Sequence, residues 1–186
     1  KVEAPRGDDT RQWGPPFIER EDDKTAAYFH SCNRGKSSVT IDFRTPEGQQ
    51  ELHRLLKDAD ILIENFKVGG LAKYGLDYQT LSARYPKLIY CSITGFGQTG
   101  PYAHRAGYDY IIQGMSGFMS ITGEPDGRPL KPGATLGDTG TGMLMAISIL
   151  GALYQKRETG EGQRITLAMQ DAMLQYARLA ISDTMK

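Results

Sequence analysis

One carboxylate in this chain sits where covalent or acid–base chemistry could be done. In residues 130–153, LKPGATLGDTGTGMLMAISILGAL, a loop rich in proline and glycine delivers Asp138 to the start of a strongly apolar helix. Gly137, Gly140 and Gly142 flank it, and glycine both frees the backbone and lets a bulky ligand approach the main chain. The run MLMAISILGAL carries no charge, which predicts a helix buried on most sides with its amino end at the mouth of a cleft. Unpaired N–H groups at such an end attract anions. Asp138 therefore has two candidate roles: a helix cap, for which aspartate is a favoured residue, or a nucleophile presented by that helix. Asp171 in MQDA reads as an ordinary residue near a helix start and Asp126 as a turn residue. Neither has comparable glycine around it.

The elements that must position Asp138 follow from composition and pattern. A length of 186 residues fits one domain with a real core. The chain opens on Lys1 and Val2 without methionine, so it reads as cut into mid-fold. Lys and Arg number 22 and Asp and Glu 22, so no basic field argues for a nucleic-acid partner. Cys32 and Cys91 lie far apart outside any CxxC pattern, which signals neither zinc nor a disulfide framework and points to a reduced, cytoplasmic setting. His30, His53 and His104 are scattered, so no metal is expected. The longest apolar stretch, residues 143–154, is well short of the roughly 20 residues that span a bilayer. No membrane partner is expected either.

Residues 2–4 read as the end of a strand, 5–24 as a long functional loop holding Trp13, 26–31 as a helical turn and 38–42 as a short strand with Arg44 at its carboxyl end. Thr45-Pro46-Glu47 starts a helix whose buried stripe is Leu52, Leu55 and Leu56. Residues 61–64 form a buried strand followed by Asn65-Phe66-Lys67, at the end of the sheet where open α/β folds bind ligands. Short helices near 71–74 and 78–85 lead to a third strand at 88–94. A helix over 108–116, a loop over 123–137, the apolar helix to about Arg157 with C-cap glycines, a strand at 164–168 and a helix at 169–185 complete the order. Strand alternating with helix means an α/β fold.

Gly95-Phe96-Gly97-Gln98-Thr99-Gly100 spells GxGxxG directly after a strand, the fingerprint of dinucleotide binding. That fingerprint needs a helix starting inside it and an acidic residue about 20 positions on. Pro101 and Gly107 break such a helix and the acid is absent. A glycine-rich loop at a sheet edge is the better reading, and a nicotinamide oxidoreductase is the weakest alternative.

The strings GDDTRQWGPPF, NRGKSSVTIDFRTPEG, ADILIENFKVGGLAKYGLDY, LIYCSITGFGQTGPY, AGYDYI, LGDTGTGM and TGEGQRITLAMQDA, in that order, resemble the family III CoA-transferases (CaiB/BaiF), which include formyl-CoA, carnitine and succinate–hydroxymethylglutarate CoA-transferases. The resemblance covers nearly the whole chain. It implies an open Rossmann-like large domain, mostly parallel with flanking helices, of which residues 1–186 are the central part; the family's first strand and helix and its second domain lie outside. It also implies that Asp138 is the nucleophile, forming an anhydride with the acyl group and then an aspartyl-CoA thioester. Carried over by position, the CoA-contacting segments fall on Ile41 and Arg44, on Asn65, Phe66 and Lys67, and on Lys73, while Tyr108, Asp109 and Gly137 support the active site. Coenzyme A enters as part of the substrate, with no permanently bound cofactor.

The resemblance further implies an interlocked homodimer, and an isolated piece is expected to lack activity. In the racemase branch of the family a histidine base replaces Tyr108; tyrosine, with an ordinary pKa near 10, is a poor base at neutral pH and argues for transfer. Ala106 stands where formyl-CoA transferases carry lysine, which argues against formate, and TRQWGPPF and YCSITGFGQTGP look most like the branch using dicarboxylic acids. The alternatives are an acyl-CoA racemase or isomerase on the same scaffold, or a CoA-binding module without catalysis.

Overall fold

A computed structural model describes residues 1–20 and 23–185, in two compact units, Lys1–Asp58 and Ala59–Lys186. The first unit is organised around one buried acid. β1 (Val2–Glu3) pairs in parallel with β4 (Val39–Thr40), Val2 opposite Val39 and Glu3 opposite Thr40. The Glu3 carboxylate accepts two bonds from the Arg11 guanidinium at 2.8 and 2.9 Å, one from the Asp8 N–H at 2.9 Å and one from the Ser38 hydroxyl at 2.5 Å. Arg11 also lies over the Phe29 ring, 3.9 Å from its centroid. A short 3-10 turn (Asp9–Gln12) capped by Asp8 brings Arg11 to this acid.

The stretch expected as loop carries more structure than its Pro, Gly, Asp and Arg content predicts. Phe17–Arg20 (β2) and Asp23–Ala26 (β3) form an antiparallel hairpin, with Phe17 opposite Ala26, and Ala27–Asn33 is a helix, α1. The alternating residues are too few to stand out beside the flanking glycine and prolines. α2 (Pro46–Leu56) follows its sequence signals: the Thr45 hydroxyl accepts the Gly48 N–H at 3.1 Å and Pro46 opens the helix. Leu52 and Leu56 are buried, whereas Leu55, expected in the same stripe, is exposed.

In the second unit β5 (Ile61–Glu64), β6 (Ile89–Thr94) and β7 (Arg164–Ala168) form a parallel sheet in the order β5-β6-β7. The helices are α3 (Tyr78–Arg84), α4 (Asp109–Met115), α5 (Leu136–Thr159) and α6 (Met169–Thr184), with 3-10 turns at Ala72–Tyr74 and Phe118–Ile121. The α/β fold with parallel pairing and flanking helices is the one the strand–helix alternation predicts. No helix starts inside GFGQTG, as Pro101 and Gly107 require.

Ile89 and Cys91 of β6, Ile165 of β7 and Met145 and Ala152 of α5 make one buried cluster. Ile112 of α4 with Met169 and Met173 of α6 make a second. Gly95, just after β6, touches Gly107, just before α4: a Cβ on Gly95 would stand 2.6 Å from the Gly107 Cα. Only glycine at both positions allows that contact. It ties the start of α4 to the end of β6.

α5 departs from expectation in two ways. It runs for 24 residues, so by length and composition it is apolar enough to cross a membrane, although the uncharged core of the run is shorter. Core helices of soluble proteins share that profile, and here Met145 and Ala152 pack against the sheet while Lys156 pairs with Asp60 at 2.8 Å. Nor is α5 buried on most sides. Met143, Ile147, Leu150 and Tyr154, spaced at helical intervals, are each more than half exposed, because only one face of an all-apolar helix meets the sheet.

Glu3 makes the first unit sensitive to acid. The Arg11 guanidinium, aided by the Ser38 and Asp8 bonds, holds the Glu3 carboxyl down at about 2 against burial, which pulls it up. A depressed carboxyl stabilises the fold fully above its unfolded pKa near 4.3 and loses that contribution as pH falls through the folded value. Unfolding of this unit, followed by circular dichroism, is expected to become easier between pH 4.5 and 2 in the wild type. Glu3→Gln is expected to be less stable at pH 7 and to lack that acid step.

Candidate active site

The start of α5 is held from outside. Thr135, the residue before the helix, makes no side-chain capping bond, and the first N–H groups of a helix have no partner within it. The partner here is Asp109, the first residue of α4. One of its oxygens, Oδ1, accepts the Gly137 N–H at 2.8 Å and the Asp138 N–H at 3.3 Å. The other, Oδ2, accepts the Gln113 amide at 2.8 Å and stands 3.5 Å from the Lys131 ammonium. Asp109 is only 7% exposed, so these are bonds to a buried charge, stronger than neutral ones.

Of the two candidate roles of Asp138, this arrangement excludes the cap. Another side chain caps the helix, so the Asp138 carboxylate is not used for that purpose. Asp138 is the third residue of α5 and is exposed on its outer side. The protein packed against its inner side, and then the nearby Asp109 charge, raise its carboxyl above the ordinary aspartate range, with Lys131 opposing. The site is a carboxylate beside a second carboxylate, with one cation, Lys131, paired to the second.

The glycines act through closeness. Gly137, Gly140 and Gly142 lie within helical backbone, not in the left-handed region, so the conformational freedom expected of them is not used. A Cβ on Gly137 would come 2.9 Å from Asp109 Oδ1, and one on Gly140 would run into the Tyr176 ring. Gly142 faces open space. The Thr141 hydroxyl, fully buried, bonds back to the Gly137 carbonyl at 2.5 Å.

The other candidate residues are spread over both units. Tyr108 precedes α4 with extended backbone and is 72% exposed, next to Asp109 in sequence but outside its hydrogen-bond set. In the first unit Ile41 is buried and its N–H bonds to the Glu3 carbonyl at 2.9 Å, while the Arg44 guanidinium pairs with Asp42 at 2.7 Å. In the second unit Phe66 and Lys67 line a cavity of about 260 Å³ together with Tyr78, Ser92, Gln98 and Arg164. The Ser92 hydroxyl is buried there with no partner among the described residues. Asn65 falls between the lining residues Glu64 and Phe66 without joining the wall, and Lys73 stands over the Tyr74 ring, 4.8 Å from its centroid. Asp138 is not part of the cavity wall. The structure thus gathers Asp109, Gly137 and Asp138 at one point and Phe66 and Lys67 at another.

The sequence profile of CoA-transferase family III matches residues 1–185. The chain belongs to CoA-transferase family III. It is 60% identical over 174 residues to succinate–glutarate CoA-transferase of Agrobacterium fabrum, across 92% of this chain and 44% of that protein. It is 45% identical over 163 residues to succinyl-CoA:glutarate CoA-transferase of Mus musculus, across 87% of this chain and 36% of that protein. The crystal structure of a CAIB/BAIF family protein from Brucella suis matches it with a TM-score of 0.94 at 56% identity, over 100% of this chain and 50% of that one. The chain therefore spans less than half the length of these two curated relatives. Within this family III chain, Gln113 and Lys131 join the site although sequence reading passed them by. Gln113 could have been found as the residue one helical turn after Asp109; Lys131, joined through the fold alone, gave no such signal.

Because Asp109 supplies the cap in charged form, its replacement is expected to loosen the helix start. Asp109→Asn leaves an oxygen for the Gly137 N–H but turns an NH₂ toward the Gln113 amide and the Lys131 ammonium, donor against donor. A loss of about 1–3 kcal/mol is expected in thermal or denaturant unfolding. Gly137→Ala, which crowds the same oxygen, is expected to lower stability in the same direction.

Proposed function

We propose that this chain carries the nucleophile of an enzyme that moves coenzyme A between small carboxylic acids, dicarboxylic ones in particular, and that Asp138 is that nucleophile. The observation that carries the reading is the division of labour at α5: Asp109 caps the helix, and the Asp138 carboxylate is left exposed in its first turn. The relatives named for succinate and glutarate support the substrate class.

In the reaction a carboxylate oxygen of Asp138 attacks the thioester carbonyl of the donor. The C–S bond breaks, CoA leaves as thiolate, and a mixed anhydride remains. The thiolate then attacks the Asp138 carbonyl carbon, the anhydride C–O bond breaks, and the donor acid leaves as carboxylate. An acceptor carboxylate attacks the resulting aspartyl-CoA thioester, and the same two steps in reverse pass CoA to it. Splitting one exchange in this way lowers each barrier.

Phe66 and Lys67 at their cavity, with Asn65, Lys73, Ile41 and Arg44, are the proposed CoA contacts, Lys67 and Lys73 meeting phosphate and Phe66 lying against adenine or the pantetheine arm. Tyr108 flanks the reacting groups. The reading includes an interlocked homodimer in the cytoplasm, with residues 1–186 as the central part of the large domain. The exposed stripe of Met143, Ile147, Leu150 and Tyr154 supports a covering surface in the whole protein.

The test is intact-mass spectrometry of the full-length protein incubated with succinyl-CoA and quenched with hydroxylamine or borohydride. Wild type is expected to give an adduct mapping to Asp138, and Asp138→Asn none, with transfer to glutarate reduced at least ~10²-fold, at the low end of what loss of a nucleophile costs. An adduct that persists in Asp138→Asn overturns the assignment.

A further inference from the structure

Two carboxylates meet at the start of α5. Asp109 lies in the interior, and its carboxylate receives the N–H groups of Gly137 and Asp138. Asp138, one residue along, must be ionised to attack. Burying one anion beside another is costly, and such pairs usually hold a shared proton. A proton on Asp138 would remove the nucleophile; a proton on Asp109 would weaken the cap.

Lys131 stands where that conflict is relieved. Its ammonium is 3.5 Å from Asp109 Oδ2, and its remaining donors face the Pro132 carbonyl at 3.0 Å and the Ala134 carbonyl at 3.4 Å. Two hydrogen bonds and one ion pair, all directed inward, hold the ammonium. The side chain is 20% exposed, so the charge is held in the wall of the site and does not reach out for a ligand. Gln113, also bonded to Oδ2, is neutral and cannot offset a charge.

Among the described residues, α6 brings the Tyr176 hydroxyl beside Gly140 and α4 is preceded by Tyr108, while the Phe118–Ile121 turn holds no titratable residue. The charges acting on Asp138 are Asp109 and Lys131.

We propose that Lys131 is a positioning residue of the transfer: its ammonium, seated on Asp109, is the counter-cation that keeps the cap charged and lets Asp138 work as a carboxylate beside it. This rests on the reading of Asp138 as nucleophile. Lys131 touches neither acyl group nor thioester and acts through the two acids.

The experiment is the pH profile of kcat/KM for the full-length enzyme with succinyl-CoA and glutarate, in wild type, Lys131→Met, Lys131→Gln and Lys131→Arg, with the Asp138 adduct assayed in each. Without the cation, protonation reaches Asp138 at higher pH, so the acid limb in Lys131→Met is expected to move up by about one unit, a roughly tenfold loss below the limb and a much smaller one above it. Lys131→Arg is expected to keep the wild-type limb, and Lys131→Gln to match Lys131→Met, which covers the case in which methionine fails to fold. A limb that stays in place in both neutral variants, or a loss equal at every pH, overturns the proposal. If instead Asp138→Asn still forms the adduct, the reading of the nucleophile fails, whatever the Lys131 profiles show.

Discussion

A buried carboxylate on the first turn of a helix that is not its own is the interaction on which the site depends. Asp109 comes from α4 and Asp138 from α5, and the bonds from Gly137 and Asp138 to Asp109 join the two helices. Helix starts need acceptors, and a local Ser, Thr or Asp is the common solution. By taking the acceptor from a distant residue, the fold frees the acid in the first turn from structural duty. The cost is a second negative charge close by: burial raises the Asp138 carboxyl, and the Asp109 charge raises it further. Stability of the helix start and the charge felt by the Asp138 carboxylate therefore both depend on one contact.

The sheet supplies what that contact needs. β6 and β7 give α5 an apolar floor through Ile89, Cys91 and Ile165, and the far end of the helix is closed by Gly160, at φ 75°, and by the Lys156–Asp60 pair. α6 packs beside it, with Tyr176 against Gly140. A helix fixed along its length and at its end has little freedom to slide. Its first turn then presents Asp138 at a constant height.

Much of this was legible in the sequence because it rests on local signals. Thr45-Pro46 marked a helix start, the apolar runs at 61–64 and 164–168 marked strands with the bounds found, and glycine around Asp138 marked a crowded place. The GxGxxG string was set aside on Pro101 and Gly107, and the fold agrees. What stayed hidden depends on partners far away in the chain. Nothing near Asp138 announces a cap 29 residues earlier, and nothing near Lys131 announces an acid on α4. The hairpin of β2 and β3 was masked by proline and glycine beside it. The burial of α5 was overestimated because hydrophobicity states that a face can be covered, not what covers it. Leu55 failed for a related reason: a leucine in a stripe of three was assigned to the interior by pattern, while the helix turned it outward.

Gly95 and Gly107 touch through their backbones, so the chain between them leaves the fold and returns to the point of departure. Residues 96–106 form a loop pinched at its base, and what it carries is used: Phe96 packs on the cluster of Ile112, Met169 and Met173, and Gln98 and Thr99 stand in the cavity wall with Phe66 and Lys67, Gln98 accepting the Arg164 guanidinium at 3.1 Å. The two glycines therefore fix both where this wall of the cavity leaves the sheet and where it returns to α4.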